Sequence, residues 1–296
     1  GTTLLQNMLD SHPDVIGGPE FLHLPGIMNL RSSMRRDLQR HWIDLYLSDE
    51  RLDVLLRRFI TESLLPLVDA RQGRFLSEKT PENVLVFSDL LQVFPESRCI
   101  HVVRDPRATV ASLLEVGKRA RKKRMQIAPY TSNVQRAMDH IKRCLAGGFA
   151  AQKAEPRKVL TVRYERLASE PEEEGKRVCS FLGLSWDSRM LSPADFEHLG
   201  QEAITKHSGE VWYDAASYNR NPSAESVDKW RRQLALRDQL QVSDFFRDSE
   251  DLSALGYDLS PPPVSRLALS AYRAINKLDT VLGKLSLRVC AFARRM

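Results

Sequence analysis

The residues best placed to do chemistry stand at the first positions of the chain. Gly1 is followed by Thr2 and Thr3, then by Leu4, Leu5, Met8 and Leu9 at helical spacing. A helix opening directly after glycine offers free N–H groups and the positive end of its dipole to an anion, and two threonine hydroxyls can add donors. A nucleoside-triphosphate loop would read Gly-Lys-Ser/Thr here, with lysine on the β- and γ-phosphates and the hydroxyl on Mg²⁺. A threonine holds the lysine position, so a shorter 5′ anion bound without metal fits better. A plain capped helix would use the same residues. A second group is Arg104-Asp105-Pro106-Arg107, with Ser112 eight residues after Arg104. Arg104 follows the apolar run Cys99–Val103, at the end of a buried strand, where open α/β sheets bind ligands. A helix begun at Pro106 would bring the Ser112 hydroxyl towards the same anion. Pairing of Arg104 with Asp105, or capping of a loop, would employ the arginine equally well.

Other catalytic patterns are missing. The seven histidines show no HxxxH or HExxH spacing, which argues against a metal site. No GxSxG elbow occurs, and Ser112 has no histidine near it in sequence, which argues against hydrolase chemistry. The four cysteines (Cys99, Cys144, Cys179, Cys290) contain no CxxC pair, so no disulfide framework is read and a reducing compartment is favoured.

The elements that must position these residues follow from periodicity. The first helix ends at His12-Pro13, and a short extended piece, Val15–Gly18, leads to a segment opening at Pro19-Glu20. Residues 51–69 carry Leu52, Leu55, Leu56, Phe59, Ile60 and Leu64 at helical period. Phe75–Lys79 reads as a short strand, and Pro81 as the start of a helix carrying Val84, Leu85, Phe87, Leu90 and Leu91. Cys99–Val103 and Val159–Val162 are strands, and helices are expected near 106–117, 132–154 and 170–182. Strands alternating with helices at this spacing predict βαβ units and a parallel sheet.

Composition describes an ordinary globular protein, with 296 residues, 42% hydrophobic and 28% charged. No run of about 18 apolar residues would span a membrane. The net charge of +6 is unevenly placed. Residues 261–296 hold seven basic side chains and one acid, leaving 37 of each in residues 1–260. In that tail, Leu267, Ala271, Ala274, Leu278, Leu282, Leu285 and Val289 form an apolar stripe beside a basic one. Such a helix can lie on an anionic membrane surface, or pack on the body or on a second subunit. The run Lys118–Arg124 is a second basic patch, a solvated helix face or an attractor for an acidic acceptor. With the body neutral, no nucleic-acid partner is expected.

Five segments in order complete a pattern: Gly1-Thr2-Thr3-Leu4-Leu5, His12-Pro13-Asp14-Val15 with Glu20, Glu78-Lys79-Thr80-Pro81, Arg104-Asp105-Pro106-Arg107 with Ser112, and Arg163-Tyr164-Glu165. Together they resemble the sulfotransferases that use 3′-phosphoadenosine-5′-phosphosulfate (PAPS), above all the tyrosylprotein sulfotransferases and their bacterial relatives. The resemblance extends to about Leu234, through Asp228-Lys229-Trp230. It implies that Gly1, Thr2 and Thr3 cradle the 5′-phosphosulfate. Arg104 and Ser112 would grip the 3′-phosphate with Arg107 nearby, and Tyr164 and Lys229 would touch the nucleotide less directly. It also implies Glu20 as general base and Lys79 as catalytic lysine. A first-turn helix carboxylate and a solvated strand end are the structural alternatives for these two. The family's first strand and the Pro-Arg-Ser half of its phosphosulfate loop have no counterpart before Gly1.

The expected protein is therefore an α/β sulfotransferase with a parallel sheet flanked by helices, resembling the P-loop nucleotide-binding fold. Residues 1–260 would form its domain and residues 261–296 a basic amphipathic tail. It would move a sulfuryl group from PAPS to an acceptor hydroxyl on a protein tyrosine, a carbohydrate or a small molecule, without metal. The alternatives are a P-loop kinase-like enzyme, or an inactive or truncated paralogue acting as a membrane-associated binding module. The tail would give peripheral membrane contact or a homodimer. The location would be cytoplasmic or membrane-peripheral in a bacterium, and Golgi if an upstream anchor was removed.

Overall fold

A computed structural model describes residues 1–70, 73–200, 211–212 and 220–260. The tail stripe after residue 260 and most of residues 201–219 lie outside the described residues. Contacts divide the chain into two compact units, Gly1–Trp230 and Arg231–Met296.

The first unit is built on four short strands in two parallel ladders. β1 (Val15–Gly17) pairs with β2 (Phe75–Ser77) through Val15↔Phe75, Ile16↔Leu76 and Gly17↔Ser77. β3 (Cys99–Val103) pairs with β4 (Val159–Arg163) over five residues, from Cys99↔Val159 to Val103↔Arg163. Helix α1 (Thr2–Asp10) spans both ladders. At its start, Gly1 lies so close to Val102 and Tyr164 that a Cβ would meet Tyr164 Cδ2 at 2.8 Å. At its far end, Asp10 Oδ1 accepts the Gly17 N–H at 2.8 Å, and Gln6 accepts the Ser77 hydroxyl at 2.8 Å. One apolar cluster joins Leu5, Met8 and Leu9 of α1 to Val15 of β1 and Val162 of β4.

The β3–β4 ladder is covered on both faces, as parallel sheets require. The cluster around α1 lines one face, where α7 (Tyr164–Ser169) supplies Leu167 and α8 (Pro171–Leu182) supplies Val178 and Cys179. On the other face α4 (Phe87–Val93) gives Phe87 and Leu91, and α6 (Val134–Ala154) gives Ala151, packed against Cys99 and Val159. His101 points to the same side with its ring edge against Phe149 at 5.0 Å. Burial pushes its pKa down to about 4.

Two departures from the sequence reading have local causes. The helix expected from Pro81 is a 3₁₀ segment, Pro81–Val86, followed by α4. Its first turn is tethered by side chains, Asn83 to Glu78 and Glu82 to Tyr130, and the chain breaks at Val86 (φ −130°) before the α-helix begins. An unpredicted helix, α2 (Leu24–Gln39), buries only Leu24, Met28 and Arg31, a stripe too narrow and too polar to read as amphipathic. Arg31 is fully enclosed. It donates twice to Asp53 (2.6 and 2.9 Å) on α3 (Asp49–Ala70), to Asp89 at 2.8 Å and to Gln92 at 2.9 Å, tying α2 and α3 to α4.

α5 (Pro106–Lys122) starts at the expected proline, with Asp105 as its N-cap. The run Lys118–Arg124 forms its last turns, where Lys118, Arg121, Lys122, Lys123 and Arg124 are exposed. The second unit shows helices Leu236–Phe246 and Glu250–Ala254, with Leu240, Val242, Phe246, Leu252, Tyr257 and Leu259 buried. Among the described residues no helix is long and apolar enough to cross a membrane.

Candidate active site

Each strand end delivers one of the expected residues. Glu20 stands three positions beyond β1, Lys79 two beyond β2, Arg104 directly after β3 and Tyr164 directly after β4. This is the carboxyl edge at which open α/β folds place ligands.

On the β1–β2 side, Lys79 Nζ and Glu20 Oε1 form a short ion pair, both side chains largely enclosed. Glu20 is therefore not a first-turn carboxylate, since α2 begins only at Leu24 with His23 as its N-cap. Lys79 is likewise not a solvated strand end. Glu78 lies beside the pair. Its Oε1 accepts the Phe21 N–H at 2.9 Å and the Thr80 hydroxyl at 2.6 Å, and its Oε2 accepts the Asn83 amide. Burial raises the Glu78 pKa against these three donors, with the Glu20 charge adding a smaller push in the same direction.

On the β3–β4 side, Arg104 forms no ion pair among the described residues. Its guanidinium stacks over the Tyr164 ring at 4.4 Å, Nη2 donates to the Ser226 carbonyl at 3.0 Å, and Nε is buried with no partner among the described residues. The Tyr164 hydroxyl is hydrogen-bonded to Ser226 Oγ. The alternative in which Asp105 neutralises Arg104 is not what forms. Asp105 instead takes Arg107, accepting from its Nε at 3.0 Å and its Nη2 at 2.7 Å. Arg107 is enclosed and stacks over Trp230 at 4.3 Å. It holds the turn after β3 through Asp105 and Trp230. The Asp105 N–H donates to Glu165 Oε1 at 2.9 Å, locking the turn after β3 to the start of α7.

Gly1 sits between the two sides. It is the N-cap of α1 and no side chain caps the helix, so the first-turn N–H groups of Thr2 and Thr3 face outward unclaimed by a cap. The charges of Arg104 and Lys79 both act on the start of α1 at Gly1, with that of Glu165 opposing. Cations from both ladders thus reach one helix N-terminus. Ser112 is exposed on α5, two turns after its start, and Lys229 is half-buried in the turn before Trp230. Among the described residues neither has a partner that would fix its role.

Three contributors went unread in the sequence: Glu78, Glu165 and Ser226. The two glutamates adjoin Lys79 and Tyr164 in quoted motifs, a signal that was available. Nothing around Ser226 marked it. Among the described residues no group of three or more His, Cys, Asp or Glu side chains is placed to hold a metal ion. Cys99, Cys144 and Cys179 are free thiols, and burial raises all three, Cys99 and Cys144 to about 12.

Residues 1–188 match the model of the sulfotransferase family. The chain is 26% identical over 292 residues to protein-tyrosine sulfotransferase 1 of Danio rerio, covering 94% of this chain and 76% of that one. It is 27% identical over 281 residues to nodulation protein NoeE of Sinorhizobium fredii, covering 88% and 64%. In fold it is similar to the sulfotransferase domain from the curacin biosynthetic pathway, with a TM-score of 0.55 at 17% identity, covering 87% of this chain and 94% of that one. The family match spans well over half of the chain and includes all four strand ends that carry the site; the chain belongs to the sulfotransferase family, enzymes that move a sulfuryl group to an acceptor.

Proposed function

We propose that this chain binds PAPS across the ends of its two ladders and transfers the sulfuryl group to an acceptor hydroxyl. The observation that carries the reading is that the strand ends of both ladders deliver cations, Lys79 and Arg104, whose charges act together at the start of α1. The fit to a nucleotide with anions at both ends is supported by Arg104, whose buried Nε is unpartnered among the described residues. The donor, when bound, supplies an activated sulfuryl group on a phosphate leaving group.

The chain's own residues then divide the work. The N–H groups of Thr2 and Thr3, with their hydroxyls, would hold the 5′ anion, and Arg104 with Ser112 the 3′-phosphate. Tyr164 holds the Arg104 plane by stacking, and Lys229 lies in the adjoining turn. Arg107 positions that turn through Asp105 and Trp230, beside the nucleotide. Lys79 gives a compact positive charge to the developing negative charge of the leaving oxygen, an electrostatic contribution that dominates in related phosphoryl transfers. Glu20 accepts the acceptor's hydroxyl proton. For both to act, the resting ion pair must open, and an incoming hydroxyl can replace Lys79 as the partner of Glu20.

The names of the relatives support a protein tyrosine as acceptor. The exposed Lys118, Arg121, Lys122, Lys123 and Arg124 suit acidic flanking sequence. The test is transfer of radiolabelled sulfuryl from PAPS to an acidic tyrosine-containing peptide, alongside melting with adenosine-3′,5′-bisphosphate. Transfer together with a raised Tm is expected. Binding to anionic liposomes with neither effect would instead support a membrane-associated binding module.

A further inference from the structure

The β1–β2 ladder ends before it reaches the residues that matter. Its last pair is Gly17↔Ser77, while Glu20 and Lys79 lie three and two positions further on. The ladder has only three pairs, and Phe75 and Leu76 on β2 are exposed. Backbone pairing therefore cannot fix the separation of the two segments where they carry the ion pair.

A side chain takes over where the ladder stops. Glu78 lies on the β2 segment, between Ser77 and Lys79. Its Oε1 reaches across to the Phe21 N–H, next to Glu20 on the other segment, at 2.9 Å. The same oxygen accepts the hydroxyl of buried Thr80, next to Lys79, at 2.6 Å. Its second oxygen accepts the amide of buried Asn83, which anchors it to the 3₁₀ turn. An ionised carboxylate is acceptor-only, so three converging donors define one orientation, and bonds to a charged acceptor are about twice as strong as neutral ones. We propose that Glu78 is a positioning residue that sets the spacing of Glu20 and Lys79 by bridging the residues adjacent to each. This rests on reading Glu20 and Lys79 as the base and the catalytic cation.

The bridge acts on geometry, and Glu78 touches neither ligand. Misplacement of reacting groups by about 1 Å can cost about 100-fold in rate. Glu78→Ala is expected to lower kcat for the tyrosine peptide by about that factor, with KM for PAPS and the adenosine-3′,5′-bisphosphate melting shift retained. Glu78→Gln keeps one oxygen for Phe21 and Thr80. Asn83 can turn its Oδ1, unpartnered among the described residues, towards the new amide. This variant is expected to recover kcat to within about tenfold of the parent. Hydrogen exchange at the Phe21 amide reads the bridge without turnover, and should be slow in the parent and in Glu78→Gln and fast in Glu78→Ala. Unchanged Phe21 exchange in Glu78→Ala would overturn the proposal. So would an Ala variant that keeps kcat within about twofold, or one whose kcat, KM and nucleotide shift collapse together. If the parent transfers no sulfuryl group, the function reading fails on its own, and the Phe21 exchange still decides the bridge.

Discussion

The two ladders of the first unit do different jobs and are held by different means. β3–β4 is five pairs long, packed by apolar clusters on both faces, and ends in Arg104 and Tyr164. Here the backbone does the positioning, and Arg104 is left without a carboxylate partner among the described residues. β1–β2 is three pairs long and half-exposed, and ends in Glu20 and Lys79, which are already paired to each other. Here side chains do the positioning: Asp10 on Gly17, Gln6 on Ser77 and Glu78 on Phe21. A binding cation is useful when its charge awaits an anion. A transfer pair is useful when its members are close and can be separated by substrate. On the proposed reading, one side is a fixed grip and the other an adjustable tool.

This division can be broken at several points. The largest effect is expected on the transfer side. Glu20→Gln should lower kcat by roughly 10²–10⁴, and Lys79→Ala by roughly 10²–10³, in a sulfuryl-transfer assay. Both should leave nucleotide-induced stabilisation intact. Arg107→Ala should behave in the opposite manner. It strands the Asp105 carboxylate and strips the face of Trp230, and removal of one partner from a buried pair costs about 3–5 kcal/mol. Urea melts should show that loss, while the folded variant still responds to nucleotide. A direct phosphate grip by Arg107 would instead abolish the response.

The β3–β4 side also has an acid weakness. His101 on β3 has its pKa depressed from 6.5 to about 4 by burial, so the folded protein holds it neutral and the unfolded chain binds the proton more tightly. Its contribution is complete above pH 6.5 and is lost as pH falls through 4, on the order of 3 kcal/mol from that shift. Stability measured between pH 7 and 4 should fall less steeply in His101→Phe than in the parent. Equal slopes would remove His101 from the account.

Much of this frame was legible in the chain, for identifiable reasons. α1, β3 and α5 read correctly because each has a strong local signal: a period of leucines, a β-branched run and a proline at the first turn. The four strand-end residues were legible because each lies within three positions of a strand end in a quoted motif. What was not legible depends on contacts distant in sequence. Arg31 became a core residue only because Asp53 and Asp89 surround it, so α2 gave no apolar stripe to read. Whether Asp105 would pair with Arg104, its immediate neighbour, was undecidable from spacing. The N-cap geometry, with Asp105 Oδ1 on the Arg107 N–H at 2.8 Å, settles it. Ser226 lies 62 residues from Tyr164 and 122 from Arg104, and no local pattern announces it.

The smallest expected change is also the most direct test, because it asks whether the uncompensated cation of β3–β4 is the nucleotide grip. A hydrogen bond to a charged group contributes about 1.5–3 kcal/mol, which corresponds to roughly 10–100-fold in affinity. The measurement is the melting shift produced by adenosine-3′,5′-bisphosphate in Arg104→Ala beside the parent and Lys79→Ala. The account predicts that the shift is lost in Arg104→Ala and kept in Lys79→Ala. An undiminished shift in Arg104→Ala would contradict it.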